Sequence, residues 1–546
     1  MKTFTILFLL FLVSNVYSQI QSITGKYYQK YFENGVMKTR IITVPQINPG
    51  INFTNKEETL QVRNVSPDPR IRWSFMEPYS VGTNVAISGN GLLNVCGWSL
   101  NDTRISVYDT ASNIPNWEYF TNSSVFNLYV SVSDTAGVIA VGTNYNLYLF
   151  HKNSGTPFFN YDFTNSPDSG LAGPVALTFN GNFFVACVIR SDSSTVFGFN
   201  TASTVPVWKF KIANSIEGMK MAGYDSLLIV NTMYEYAVIN TYTGYKRCSG
   251  VISGGSQMTQ AISGDGTYIA TIDYYGYVNV YQWNGTDYSL LWSFREPPGI
   301  YNNWISAVDI STDGLYLAAG ALIFNSYSEH LGKIRFFRIS EGNNPVWTLN
   351  SIGDYVEQIR FSRNSKIFAV CSWGDVNNIV DDLQIFKTTS YTNVPLYTVH
   401  TKGSLFSCSV SDDGRSVLAG GKLIYAGIWG YGGTLYNMYI DTSLNPVNIR
   451  NVTKFLPLAY SLKQNYPNPF NPETKINFQI PVSGFVNLKV FDVTGKEIAT
   501  LVNQNLSAGT YKVNFPAVKY NLSSGIYFYK ITVNGYSEIK KMMLIK

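Results

Sequence analysis

Between residues 71 and 440 the chain alternates apolar and polar positions in short runs broken by turns. The period of two predicts β-strands and leaves little room for helix. One unit recurs: an apolar strand, a tight turn, a second apolar strand, a third strand, then a fourth that ends near a tryptophan. Its first two strands are clearest in "VAISGNGLLNVCGW", "QAISGDGTYIATI", "AVDISTDGLYLAAG", "IRFSRNSKIFAVCSW" and "CSVSDDGRSVLAGG". Weaker copies are "VSVSDTAGVIAVG", "VALTFNGNFFVAC" and "KMAGYDSLLIVN". Asn90-Gly91, Asp265-Gly266, Asp313-Gly314 and Asp413-Gly414 read as hairpin turn pairs, since Gly, Asn and Asp accept positive φ at low cost.

The opening strands start near residues 85, 130, 175, 220, 261, 308, 356 and 405, a repeat of 41 to 49 residues that fits the blades of a β-propeller. Third strands follow, from "RISVYDT" to "TLYNMYI", but only seven fourth strands share the register, from "PNWEYF" to "PLYTVH". The missing one is Ile71–Glu77, "IRWSFME", which precedes the first full unit; a ring removes its edges if this strand completes the last blade. The expectation is an all-β chain with an eight-bladed propeller over 71–440, or seven blades if the weak unit around Tyr224 is not a blade. Trp73, Trp117, Trp208, Trp292 and Trp347 recur in the outer strands, where a large aromatic fills the gap between blades. The ring resembles the quinoprotein-like and WD-repeat-like propellers in architecture. It lacks the Trp-Asp and Gly-His marks of WD repeats, the vicinal cysteines of quinone-cofactor dehydrogenases, and sialidase-type Asp boxes.

After Asn451 the pattern changes. "KINFQI", "VNLKVFDV", "TYKVNF" and "IYFYKITV" alternate strictly and predict a small immunoglobulin-like β-sandwich over 461–546, with 441–460 as linker. A collar, "QNYPNPFNP", precedes it, and Pro467, Pro469 and Pro472 fix φ and hold their neighbours extended. Leu462, Asn465, Tyr466, Pro467, Asn468, Pro469, Phe470, Asn471, Pro472, Thr474, Gly495 and Gly525, with the Lys540-Lys541-Met542 ending, follow one motif order. On these residues the segment resembles the type A C-terminal sorting domain of the type IX secretion system of Bacteroidota and related phyla. Phe491 and Lys496 stand where Tyr and Arg are commoner. The resemblance implies an address read by the outer-membrane secretion machinery, with release or display at the cell surface.

Composition agrees with an exported β protein: 45% hydrophobic, 15% aromatic, 14% charged. The net charge of +5 is scattered, with no basic stripe to neutralise phosphates, so nucleic acid is not an expected partner. "MKTFTILFLLFLVSNVYSQI" has a lysine, an apolar run and a cut before Gln19, a signal peptide over 1–18. No later run is long enough to span a membrane. Residues 19–70 read as strands or an arm. The five cysteines include no CxxC pair, and Cys96, Cys187 and Cys371 sit near the ends of similar strands, which reads as buried free thiols.

Ligands of propellers meet the loops of one face, here those between strands two and three and between blades. These loops place aromatics beside carboxylates and amides, a mixture suited to sugars or peptides. The candidate binding set is Trp98, Tyr301, Trp304, Trp373 and Glu296, with Trp98 and Trp373 in matching positions of their blades. Asp375, Asp381 and Asp382 are candidate calcium ligands without a recognised spacing; no other metal or cofactor is expected. Glu296, Glu329, His330 and Asp102 are the loop residues able to act as acid or base, and no nucleophile elbow, zinc motif or phosphate loop is present. The expected function is non-catalytic recognition of a glycan or surface protein, against an extracellular polysaccharide hydrolase or lyase, or a structural part of a surface assembly.

Overall fold

The computed structural model describes residues 23–33, 36–46 and 70–545, apart from 101–102, 122–127, 136, 165–168, 191, 300, 327–329, 429–430, 443–448, 452–456, 458, 483, 507–508 and 521. The expected signal peptide lies outside the described residues. Ile23–Glu33 and Val36–Gln46 pair as an antiparallel hairpin, which belongs to a unit of its own.

Among the described residues, eight four-stranded antiparallel sheets follow one another along 71–440. In seven the strands run in chain order. In the eighth, Leu405–Val410, Ser416–Lys422 and Gly433–Tyr439 are completed by Ile71–Glu77, with Phe75 opposite Leu435. The weak unit is a full blade, Ile216–Met221, Leu227–Thr232, Glu235–Asn240 and Lys246–Val251. Eight blades it is.

The turn between strands one and two explains the repeat. In Ser311-Thr312-Asp313-Gly314 the Ser311 hydroxyl accepts the N–H of Tyr316, and the Asp313 carboxylate accepts that of Leu315. Ser88, Ser133, Thr178, Ser263, Ser362 and Ser411 accept the N–H five residues on in the same way. Ala222 holds this place in the weak copy and has no hydroxyl to offer. Of each Asn/Asp-Gly pair only the glycine takes positive φ, 70° to 73° in the four pairs. The acidic or amide partner acts through its side chain instead.

These turns join blade to blade at the far end of the central channel. Asp412 donates its N–H to Gly89 O, Asn364 to Asp412 O, Asp313 to Ser365 Oγ and Gly264 to Thr312 O. Tyr224 donates to Gly264 O, Phe179 to the Asp225 carboxylate, and Asp134 to Phe179 O. At the rim the five tryptophans do a similar job: the indole N–H of Trp73, Trp117, Trp208, Trp292 and Trp347 donates to a carbonyl of the next blade, at 2.8 to 3.2 Å. Between lie interblade cores, such as Ile367, Leu383 and Ile385 of the seventh blade against Leu405, Val417 and Met438 of the eighth. Each such fully buried aliphatic chain contributes ~1.5–3 kcal/mol over an exposed one.

All five thiols are free, four of them buried. Cys187 and Cys371 are nine residues past Thr178 and Ser362, but Cys96 is eight past Ser88, so it is not their equivalent.

The C-terminal region forms two four-stranded sheets around a core that includes Leu462, Phe478, Leu488, Val490, Val513 and Tyr529. The collar is tied into it. Phe470 is buried, donates its N–H to Met543 O and accepts from Ile545 N. Asn465 is buried, takes the Tyr529 hydroxyl on its N–H and donates its amide to Thr474 Oγ1 at 2.9 Å.

Candidate ligand site at the channel mouth

First strands line the channel, and six of them carry a β-bulge close to their start. A bulge turns one side chain out of the regular alternation. In the fourth and seventh blades that residue is a glutamate: Glu217 between Ile216 and Gly218, Glu357 between Val356 and Gln358. The two are equivalent, each five residues before its turn residue, Ala222 and Ser362. Other blades place Thr83, Ser306 and Phe406 there.

Aromatic rings stand around the glutamates on the loop face. Tyr274 packs on Trp304 with centroids 4.7 Å apart, and Tyr355 on Trp373 at 5.1 Å. Trp304 continues to Phe324 at 5.0 Å, and Phe324 to Tyr301 at 6.4 Å. Trp373 donates its indole N–H to Glu357 at 2.7 Å. Glu217, Tyr274, Trp304, Tyr355, Glu357 and Trp373 are all half-buried. Burial pushes the Glu217 carboxyl up to about 7. The same cause brings Glu357 to about 7, against the Trp373 hydrogen bond that lowers it. The Tyr355 hydroxyl is held well above its ordinary value by burial, then by Glu357 and Tyr274. Neither glutamate has a cationic partner among the described ion pairs.

Three residues further along the same two strands come Lys220 and Arg360. Lys220 reaches over the fifth blade's sector to pair with Asp309 of the sixth. At the far end Arg363 of the seventh blade pairs with Asp134 of the second at 3.0 Å and lies 4.3 Å from the Phe179 ring centroid. Burial, then the neighbouring Asp412, raises Asp134 to about 6. Side chains thus cross the channel at two levels.

The sequence candidates divide. Tyr301 and Trp304 come together through Phe324, and Trp373 joins Glu357. Trp98 does not belong. It is fully buried, edge-on to Phe75 at 5.7 Å. Counted from the turn, Trp98 is ten residues past Ser88 and Trp373 eleven past Ser362, and a slip of one residue sends a strand side chain to the opposite face. Glu296 is also withdrawn: it is buried and gripped by the Arg335 guanidinium at 2.8 and 2.6 Å. His330 pairs with Asp354 at 3.5 Å, and Tyr425 also donates to Asp354. Glu329 and Asp102 lie outside the described residues.

The calcium candidates are engaged locally. Asp375 accepts the N–H groups of Ile379 and Val380, Asp381 pairs with His400, and the buried Asp382 accepts from Thr401. They form no cluster of metal ligands among the described residues. Glu217 and Glu357 lie in strands, outside the loops from which the sequence candidates come. Their signal was "IEGMKM" against "VEQIRF", a Glu and a base three apart at the same place in two repeats.

In the tail, Leu462, Asn465, Phe470 and Thr474 are buried, while Tyr466, Pro467, Asn468, Pro469, Asn471 and Pro472 are exposed, Tyr466 at 78%. Gly495 takes φ 82° in the turn closed by Asp492. Nothing in the structure requires glycine at 525.

Residues 464–546 match the secretion system C-terminal sorting domain. The tail marks the chain for export by type IX secretion to the cell surface or extracellular space. No curated protein matches the chain. Among solved structures it is similar to the β-propeller domain of Cps50 (Swd1) from Myceliophteria thermophila. The identity is 14% over 55% of this chain and 95% of that one, with a TM-score of 0.42. No helix of the described residues is long and apolar enough to cross a membrane.

Proposed function

We propose that this exported propeller is a recognition module that binds a glycan or surface protein at the channel mouth, with the tail serving its export. The observation that carries this reading is the placement of Glu217 and Glu357 on equivalent bulges beside the Tyr274–Trp304 and Tyr355–Trp373 pairs. Such a mixture offers stacking faces and buried hydrogen-bond acceptors to one ligand.

A hydrolase would need one carboxyl held protonated and the other ionised. Burial instead pushes both glutamates in the same direction, to about 7. The test is an array of glycans and exported proteins probed with the full chain, reading retention and product release together. Retention without products, lost in Trp304→Ala and Trp373→Ala, is the expected result. Retention unchanged in both variants would remove the site, and products lost in Glu217→Gln or Glu357→Gln would make the protein an enzyme.

A further inference from the structure

Among the described residues, two carboxylates at the mouth stand without a counter-charge. The bases on the same strands do not serve them: Lys220 turns to Asp309, and Arg360 donates to the carbonyl of Ile359. Among the described residues, Glu357 accepts only a neutral indole N–H. Leaving ionised groups half-desolvated and unpaired is costly, so a ligand that brings positive charge gains what the protein does not supply. The rings beside them add a second preference, since aromatic faces attract ammonium and guanidinium groups.

Building on the recognition reading above, we propose that the mouth takes an organic cation, an alkylammonium or guanidinium group, drawn by the charge of Glu217 and Glu357 with its carbon stem against Tyr274 and Tyr355. Its source is either a basic side chain of a polypeptide or a free polyamine. Cations of this class fit the site better than neutral sugars. A sugar hydroxyl satisfies an acceptor but leaves its charge uncompensated, whereas a charged donor does both. Ionisation of the glutamates links the affinity to pH: a cation binds more tightly above the carboxyl midpoints, near 7, than below them.

The test is calorimetric titration of the full chain with four probes: Nα-acetyl-lysine amide, Nα-acetyl-arginine amide, spermidine and the neutral Nα,Nε-diacetyl-lysine amide. Binding of cationic probes at pH 8.5, weaker at pH 5.5 and reduced roughly tenfold or more in Glu217→Gln and in Glu357→Gln, is the expected result. A thermal melt confirms that the isosteric variants fold. Tighter binding of the amino-acid amides points to a polypeptide source, and tighter binding of spermidine to a polyamine. Equal affinity for the neutral probe overturns the cation inference and leaves the recognition site in place. Silence from every probe, with array retention still lost in Trp373→Ala, does the same. Silence together with array retention unchanged in Trp304→Ala and Trp373→Ala overturns both.

Discussion

Trp373 donates its indole N–H to the carboxylate of Glu357 at 2.7 Å, tying an aromatic of a loop to an acid of the innermost strand. The bond orients Glu357 without neutralising it. Glu217, at the same bulge three blades earlier, has no such donor among the described residues, yet burial moves both in the same direction. The mouth therefore has two acids that resist ionisation for one reason, desolvation.

The first prediction concerns pH. Both carboxyls rise from an ordinary 4.5 to about 7, so between these values the folded protein binds more protons than the unfolded chain. Stability then falls as pH rises through this window, because the slope follows unfolded minus folded protons bound. Thermal midpoints of the free protein measured from pH 4.5 to 7.5 should carry this downward component. In the Glu217→Gln, Glu357→Gln double variant it should shrink, leaving the part due to Asp134 and Asp382, whose carboxyls burial also raises, to about 6 and about 7. A variant whose curve overlays that of the parent would place the titration elsewhere.

Glu296 and Arg335 make the opposite case. Glu296 is buried and Arg335 half-buried, and removing Glu296 leaves the guanidinium without the forked carboxylate that compensates it. Glu296→Ala should cost about 3–5 kcal/mol of unfolding free energy. Affinity at the mouth should stay unchanged while the protein remains folded. Denaturant unfolding and calorimetry on the same preparation separate the two effects.

Much of the ring was legible because its signals are local. Ser311, Asp313 and Gly314 act within one turn, and Ile71–Glu77 announced itself as a fourth strand without a blade. The binding set was less legible for geometric reasons. Trp98 and Trp373 look alike as "CGW" and "CSW", but one residue separates their registers, and strand alternation turns that residue into burial against half-exposure. Glu296 looked like a free loop acid because its partner, Arg335, is distant in sequence. Glu217 and Glu357 went unseen because a bulge, not a loop, presents them.

The turn motif gives a third prediction. In Ser311→Ala the N–H of Tyr316 loses its acceptor in a buried site, which should cost about 1–3 kcal/mol. The same change at Ser362, which serves Ile367, should cost a similar amount. The naturally hydroxyl-free Ala222 shows that one blade survives without it, so both variants should fold and differ only in denaturant midpoint. Losses near zero would mean that the backbone bonds between turns hold the ring alone.

The last prediction separates folding from reading in the tail. Asn465 is buried, and its side chain joins Thr474 to Pro467, so Asn465→Ala should destabilise the sandwich by about 1–3 kcal/mol. Tyr466, the next residue, projects into solvent at 78% exposure. Tyr466→Ala should therefore leave stability within about 0.5 kcal/mol. A machinery that reads the exposed collar would lose this side chain without losing the fold. Export of Tyr466→Ala, followed as the ratio of extracellular to periplasmic protein, should fall while its melting curve matches the parent. Normal export of Tyr466→Ala beside failed export of Asn465→Ala would mean that the machinery requires the folded sandwich rather than this exposed ring.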